Sequence, residues 1–230
     1  VMRTAGGNDM PWPTVNDTTN KGRRIGEANP TTATETNMNI GQTVLRAHLY
    51  SSDLIRVSEA LLQDSAFPLG TVIPEILGER IGRITSEEYT TGSGGSMPYG
   101  IVTQSTLGKT TAGATAITFD EVFDLIHSVD PSYRTSAGFM LHDNIILYVR
   151  KLKDGNGNYL WQPSNQVGVP DRLAGYPMTV NQDMQSSVAT ATRTMLFGDF
   201  SKYKIRDVAN IRFRVLTERY GELDQTGFVA

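Results

Sequence analysis

Hydrophobic positions in the first half of the chain recur at the spacing of a helix face. Between residues 68 and 89, apolar side chains return every three or four positions, which predicts one long amphipathic helix. The stripe consists of Leu69, Val72, Ile73, Ile76, Leu77, Ile81 and Ile84. Pro74 lies inside the stripe, and an interior proline costs a helix about 3 kcal/mol and kinks it. Because Gly70, Gly78 and Gly82 weaken the helix further, we expect it to be bent or to begin at Pro74.

The segment before this helix is poor in large apolar side chains. Residues 12–15 are expected to be extended, since a residue that precedes proline avoids the helical region. Residues 16–39 are rich in turn-forming residues, and residues 43–51 alternate like a strand with one buried face. The two faces would carry Leu45, Ala47 and Leu49, and Arg46, His48 and Tyr50. Two extended legs around a polar tip predict a long hairpin, which is not stable alone and must rest on its own domain or on a neighbouring subunit.

Local signals predict shorter elements in the rest of the chain. Ser58 can cap a helix over residues 59–63, and Thr118 with Glu121 has the pattern of a capping box. A further helix is expected after Asp143. Strands are predicted at 139–141, 159–161, 176–180, 194–197, 203–207 and 211–216. Because helices and strands do not alternate regularly, the predicted fold class is α+β.

Composition narrows the classes of function. The chain has 230 residues, 21 of them basic and 24 acidic, for a net charge of -3. A protein dedicated to nucleic acid carries a clear positive excess, which is missing here. The chain has no cysteine, which excludes disulfides and thiolate metal sites. No apolar run approaches the roughly 18 residues of a membrane helix, and we expect no signal peptide at the start.

Two segments imitate ligand-binding loops but lack essential residues. The run Gly108-Lys109-Thr110 resembles the end of a phosphate-binding loop, but the position of its first glycine holds Thr103. Residues 154–158 imitate the opening of a calcium loop, yet Tyr159 replaces the required glycine and Asn165 the required glutamate. A plain turn is the favoured interpretation of residues 154–158.

Catalytic and metal-binding patterns are also incomplete. His48, His127 and His142 do not stand at metal-ligand spacing from one another. The serines near Ser93 lack the strand-turn-helix setting of a nucleophile elbow. The sequence therefore predicts no enzyme, no cofactor and no metal site.

Several short signatures follow one another in order along the chain. Those after residue 117 are Thr118-Phe119-Asp120-Glu121-Val122, Tyr133-Arg134, Phe139-Met140-Leu141, Arg150-Lys151-Leu152-Lys153-Asp154, Gly157-Asn158-Tyr159-Leu160-Trp161-Gln162-Pro163, Leu173-Ala174-Gly175-Tyr176-Pro177-Met178, Phe197-Gly198-Asp199-Phe200-Ser201-Lys202-Tyr203, Glu218-Arg219-Tyr220 and Gly227-Phe228-Val229-Ala230. Upstream, Gly26-Glu27 and the run from Val57 to Ser65 belong to the same series. Over residues 12–230 the order resembles the major capsid protein family of tailed phages, prophage-encoded members included. The family's fold is named after the phage Hong Kong ninety-seven.

The resemblance implies a phage major capsid fold with three parts. Residues 12–57 would form an extended β-hairpin loop that lies across an adjacent subunit. Residues 58–103 and 199–222 would form a peripheral domain with a long spine helix. Residues 104–198 and 223–230 would form an axial domain.

The resemblance also implies a structural role and a set of partners. The chain would be a subunit of the virion capsid that self-assembles into pentamers and hexamers around the genome, in the cytoplasm of a bacterial host. Its partners would be copies of itself, with scaffold, portal and maturation protease, packaged DNA as a non-specific neighbour and no membrane. The expected contacts between subunits are made by the charged residues Lys21, Arg23, Arg24 and Glu27.

The chain departs from the family in places, and two other readings stay open. We expect neither the N-terminal arm nor the final strand of the family here, and we predict no covalent cross-link, because only Lys21 can be matched to the residues involved. One alternative is a nanocompartment shell protein of the same fold. The other is an unrecognised hydrolase or ligand-binding domain, which a deep pocket with convergent polar groups would favour.

Overall fold

The computed structural model describes residues 1–15, 17, 20–22, 24, 38, 40–64, 69–161, 171–208 and 211–230. The chain divides into two units, one of residues 1–47 with 205–210 and one of residues 48–204 with 211–230. Each unit draws on two separate stretches of sequence, so neither could be delimited by a single cut in the chain.

The first unit is built from two strand pairs. Strand β1 (Met2–Thr4) runs parallel to β9 (Arg206–Val208). Strands β2 (Met10–Val15) and β3 (Ile40–Leu45) form an antiparallel hairpin in which Met10 faces Leu45 and Val15 faces Ile40. None of the described residues of this unit is buried. Hydrogen bonds, not a hydrophobic core, therefore hold the described part of the unit together.

The strand predicted over 43–51 is shorter and lies earlier in the chain. It ends at Leu45, and Leu49, expected on the buried face, is 99% exposed. The prediction was wrong because the alternation continues past the last residue that has a partner strand. Sequence alternation indicates a face, but only a partner can form a ladder.

The second unit contains a three-stranded sheet that packs on the long helix. Its strands β10 (Arg214–Leu216), β11 (Gln225–Val229) and β4 (Ile55–Ser58) are antiparallel, with β11 in the middle. Helix α1 (Glu59–Asp64) follows β4, and the long helix is α2 (Leu69–Thr91). Ile73 and Leu77 of α2 form a buried cluster with Phe228 of β11. Helix α2 begins before Pro74, so a start at that residue is ruled out.

The larger hydrophobic cluster lies in the middle of the sequence. The elements of this region are α3 (Ile101–Gln104), α4 (Phe119–His127), α5 (Pro131–Arg134), β5 (Gly138–Leu141), α6 (Asp143–Arg150), β6 (Arg172–Leu173), β7 (Tyr176–Val180) and β8 (Met195–Gly198). All of them except α3 and α5 contribute side chains to the cluster. The sheet order is β6-β7-β5-β8, with β5 parallel to β7 and antiparallel to β8. Helices α4 and α6 pack on β5 through Val122, Ile145 and Val149, beside the fully buried Phe139.

Several local predictions are confirmed, while others shift. Thr118 caps α4 and forms the predicted capping box with Glu121. The strands predicted at 203–207 and 211–216 are the shorter β9 and β10, and residues 159–161 contribute only a single bridge, between Lys153 and Tyr159. Two 3-10 helices, Phe200–Lys202 and Glu218–Leu223, complete the described elements. Among the described residues, no helix combines the length and apolar character required to cross a bilayer.

Candidate assembly surface

The β2–β3 hairpin has one face that is exposed along its whole length. Directly opposed residues of an antiparallel pair project to the same side of the ladder. The register therefore groups six exposed residues, here called the proline face: Pro11, Pro13, Val15, Ile40, Gln42 and Val44. Val15 is 54% exposed, Ile40 62% and Val44 41%, whereas Met10 and Trp12 on the other face are half-buried.

The prolines restrict how another chain can reach this hairpin. A proline has no N–H, so a strand tolerates it only where that position faces away from the ladder. Pro11 and Pro13 share the same parity along β2, so both missing donors belong to the outer edge of the strand. An edge with missing donors resists the addition of another strand. Contacts along the outer edge of β2 are thus left to its side chains.

The predicted interface residues belong to the segment that links β2 to β3. Lys21 and Arg24 are exposed, and neither forms an ion pair with a carboxylate among the described residues. Arg23 and Glu27 lie outside the described residues. The joint role of the four charged side chains stays a prediction.

The apolar part of this surface is not among the predictions made from the sequence. Residues 12–15 are predicted only as an extended leg, and the buried face of the returning strand is predicted at Leu45, Ala47 and Leu49. The alternation of Pro11, Pro13 and Val15 was a usable signal. Its counterpart in β3 could be recognised only once the register was known.

Residues that imitate ligand sites have structural partners instead. The Lys109 ammonium binds the Asp124 carboxylate at 2.5 Å, and this contact raises the pKa of Lys109. Asp154 accepts hydrogen bonds from the backbone N–H groups of Asn156 and Asn158, and the bond from Asn158 is the main reason that its pKa is lowered. Residues 154–158 therefore form the predicted turn.

The three histidines are also engaged in local contacts. The backbone N–H of Asn144 donates to Nδ1 of His142, which caps α6, and Arg134 donates to Nδ1 of His127. Nδ1 of His48 lies 3.1 Å from the carbonyl oxygen of Ser96. Within the described ranges, no three His, Asp or Glu side chains are grouped as metal ligands would be.

A surface depression of about 470 Å³ lies beside β6 and β7. Its two arginines already donate to the protein's own backbone, Arg134 to the carbonyls of Val129 and His127 and Arg172 to that of Gly175. Its walls also include Ser136, whose hydroxyl is bonded to Asp199. These polar groups do not converge on a common point, so the depression offers no arrangement for catalysis.

Known proteins of one family resemble this chain in sequence and in structure. The sequence matches the family described as "Phage capsid family" over residues 1–230. The capsid of the native GTA particle is similar in structure, with a TM-score of 0.79 and 25% identity, covering 99% of this chain and 80% of that chain. Microbacterium phage Oxtober96 gives a TM-score of 0.68 at 17% identity, with coverage of 99% and 79%. The SrpI encapsulin complex from Synechococcus elongatus gives 0.58 at 12% identity, with coverage of 99% and 77%. A comparison with curated proteins finds no match.

Proposed function

Since this chain belongs to the phage capsid family and is a structural subunit of a virion shell, we propose that it assembles with copies of itself into pentamers and hexamers that enclose a genome. The observation that carries this proposal is the exposed proline face on a unit whose described residues include no buried side chain. Such a hairpin lacks the burial that would stabilise it alone, and exposed apolar surface of this kind marks a contact site.

The extended loop of residues 12–57 would lie across a neighbouring subunit. The proline face supplies the apolar part of that contact. Lys21, Arg23, Arg24 and Glu27 would add ion pairs at the tip, each contributing at most about 1 kcal/mol. Repetition of weak contacts over many copies, not one strong site, would hold the shell together.

The remaining residues divide into the two other parts of the capsid fold. We assign 58–103 and 199–222 to the peripheral domain, with α2 as its spine helix, and 104–198 to the axial domain. Residues 223–230 were expected in the axial domain. The hydrogen bonding of β11 to β4 and β10, and the packing of Phe228 on α2, favour the peripheral domain instead.

The proposal includes partners that act during assembly. A scaffold, a portal and a maturation protease would act on the growing shell in the cytoplasm of a bacterial host. Packaged DNA would be a non-specific neighbour, which suits a net charge of -3. The subunit itself would perform no catalysis, in keeping with the engaged arginines of the surface depression.

Replacing residues 16–39 by the four-residue segment Thr-Asn-Gly-Thr tests the loop's role. Val15 and Ile40 are opposite each other, so the two new threonines would form the next, hydrogen-bonded pair and Asn-Gly the type I′ turn that closes the ladder. We expect a folded subunit with an unchanged melting temperature, because both hydrophobic clusters lie in the other unit, but no shells in electron micrographs. A matched chain with a Gly/Ser segment of the original length separates loop length from loop chemistry. Normal shells from the shortened chain would refute the proposal.

A nanocompartment shell is the second candidate, favoured by the similarity to the encapsulin complex. The two functions differ in what the assembled particle contains. Particles purified from the natural producer would hold packaged DNA if the chain builds a phage capsid, and a protein cargo bound through a short peptide if it builds a nanocompartment. Nuclease treatment of intact and opened particles distinguishes these outcomes.

A further inference from the structure

Arg206 makes more hydrogen bonds than the strand to which it belongs requires. It is the first residue of β9 and faces Met2 of β1. Its Nε donates to the hydroxyl of Thr4 at 3.0 Å, and its Nη2 donates to the carbonyl of Gly6 at 2.7 Å. Its Nη1 donates to the carbonyls of Asn8 and Leu45, each at 2.8 Å. One guanidinium therefore binds four acceptors.

These acceptors belong to two different strand pairs of the first unit. Thr4 ends β1, and Gly6 and Asn8 lie in the link from β1 to β2. Leu45 is the last residue of β3. Arg206 thus ties the β1–β9 pair to the base of the β2–β3 hairpin on both of its legs.

Little else in the described part of this unit could hold the two pairs together. Its described residues include no buried side chain, and the ion pair between Arg46 and Asp9 is exposed and 3.9 Å long. Without Arg206 the carbonyls of Gly6, Asn8 and Leu45 would lose a charged donor. Hydrogen bonds from a charged donor are stronger than neutral ones, so this loss matters in a unit without a core.

We propose that Arg206 is a positioning residue for assembly: it fixes the β2–β3 hairpin to the β1–β9 pair so that the proline face meets a second copy of the chain in one orientation. The inference rests on the proposed function, because it concerns the same contact. The inference adds a new element to that function: Arg206 lies outside the contact between the proline face and the second copy, yet it controls whether this contact can form. Geometry, not charge alone, is what the role requires, since only a planar guanidinium presents three nitrogens in a fixed fork.

Three variants of the full-length protein test the role of Arg206. In Arg206→Ala all four hydrogen bonds are lost, and in Arg206→Lys the charge remains but the fork is lost. The control is Arg83→Ala, which removes an exposed arginine that pairs with Glu79, one turn away on α2. Each variant is examined by hydrogen–deuterium exchange on dissociated subunits and by electron microscopy after assembly.

We expect both Arg206 variants to lose amide protection in β2 and β3 while β5 stays protected, and to form no closed shells. The control should match the unaltered protein in both measurements. Closed shells from Arg206→Ala or Arg206→Lys would overturn the inference, and so would loss of protection in β5, which would make Arg206 a general stability residue. Failure of the unaltered protein to form shells would instead contradict the proposed function.

Discussion

Only 8% of the surface of Glu121 is exposed, yet its pKa is lowered, so the carboxylate is ionised at neutral pH. Its carboxylate accepts hydrogen bonds from the backbone N–H groups of Thr118 and Ala112, at 2.8 and 2.6 Å. The bond from Thr118 is the main cause that lowers the pKa of Glu121 below its ordinary value of 4.5. The same side chain therefore closes the capping box of α4 and holds the loop that precedes the helix.

Replacing Glu121 by glutamine should destabilise the subunit in a pH-dependent way. An amide can accept only one of the two bonds well, and we expect a loss of about 2 kcal/mol in the free energy of unfolding at neutral pH. A group whose folded pKa is lowered stabilises the fold above its ordinary pKa, and this contribution is lost as the pH falls through the folded value. The difference between the two proteins should therefore be constant above pH 4.5 and shrink below it.

Urea unfolding of dissociated subunits between pH 7 and about pH 3 measures this difference. Glu87→Gln is a suitable control, because Glu87 is exposed on α2. A gap between Glu121→Gln and the unaltered protein that stays the same at low pH would contradict the assigned role of the charge.

Helix α2 carries three glycines at positions where the packing of the subunit leaves room for a larger side chain. A Cβ added at Gly70, Gly78 or Gly82 would meet no atom within 4 Å. Glycine inside a helix costs roughly 1 kcal/mol relative to alanine. In the isolated subunit, helix α2 is therefore less stable than its packing would permit.

Replacing Gly78 or Gly82 by alanine should raise the free energy of unfolding by about 1 kcal/mol each. Gly92→Ala is the matched control just beyond the helix, where the new Cβ would collide with the carbonyl oxygens of Glu88 and Pro98. That variant should be destabilised. Thermal denaturation of the three variants checks the contrast, and a destabilised Gly82→Ala would show that the space beside the helix is not free.

At the level of elements, the sequence was informative where structure depends on near neighbours. The capping box of Thr118 and Glu121 spans one turn, so its pattern sufficed to place α4. The end of β3 at Leu45 could not be predicted, since Ala47 and Leu49 continue the same alternation without a partner strand. Pro74 was expected to bend the helix or to mark its start, but α2 begins at Leu69, because the apolar contacts of Leu69 and Ile73 outweigh one lost hydrogen bond.

Across the whole molecule, Phe228 joins parts of the chain that are far apart in sequence. It is 7% exposed, packs with Ile73 and Leu77 of α2, and stacks on Phe213 at a centroid distance of 6.0 Å. Phe228→Ala should lower the free energy of unfolding by about 3 to 5 kcal/mol, the usual cost of such a cavity. Phe123→Ala, at a side chain that is 44% exposed, should cost much less.

The midpoint of urea unfolding compares these two phenylalanine variants directly. Equal midpoints would mean that β11 does not contribute to the core around α2.

The pairing of strands that are far apart in the sequence could not be predicted from the sequence. Of β4, β10 and β11, only β10 is anticipated from its own residues, by the strand predicted over 211–216. Nothing in the three segments states that β11 lies between the other two. Arg206 has the same limitation. Its acceptors at Gly6, Asn8 and Leu45 are backbone carbonyls, which every residue possesses, so no motif marks them.

The central position of β11 has a consequence for translation. A ribosome makes β4 and α2 early, whereas the strand that joins them to β10 emerges after nearly all of the other elements. Until residues 225–229 leave the exit tunnel, the side of α2 that carries Ile73 and Leu77 has no covering strand. A nascent chain that stops before β11 would therefore keep this apolar surface in contact with water.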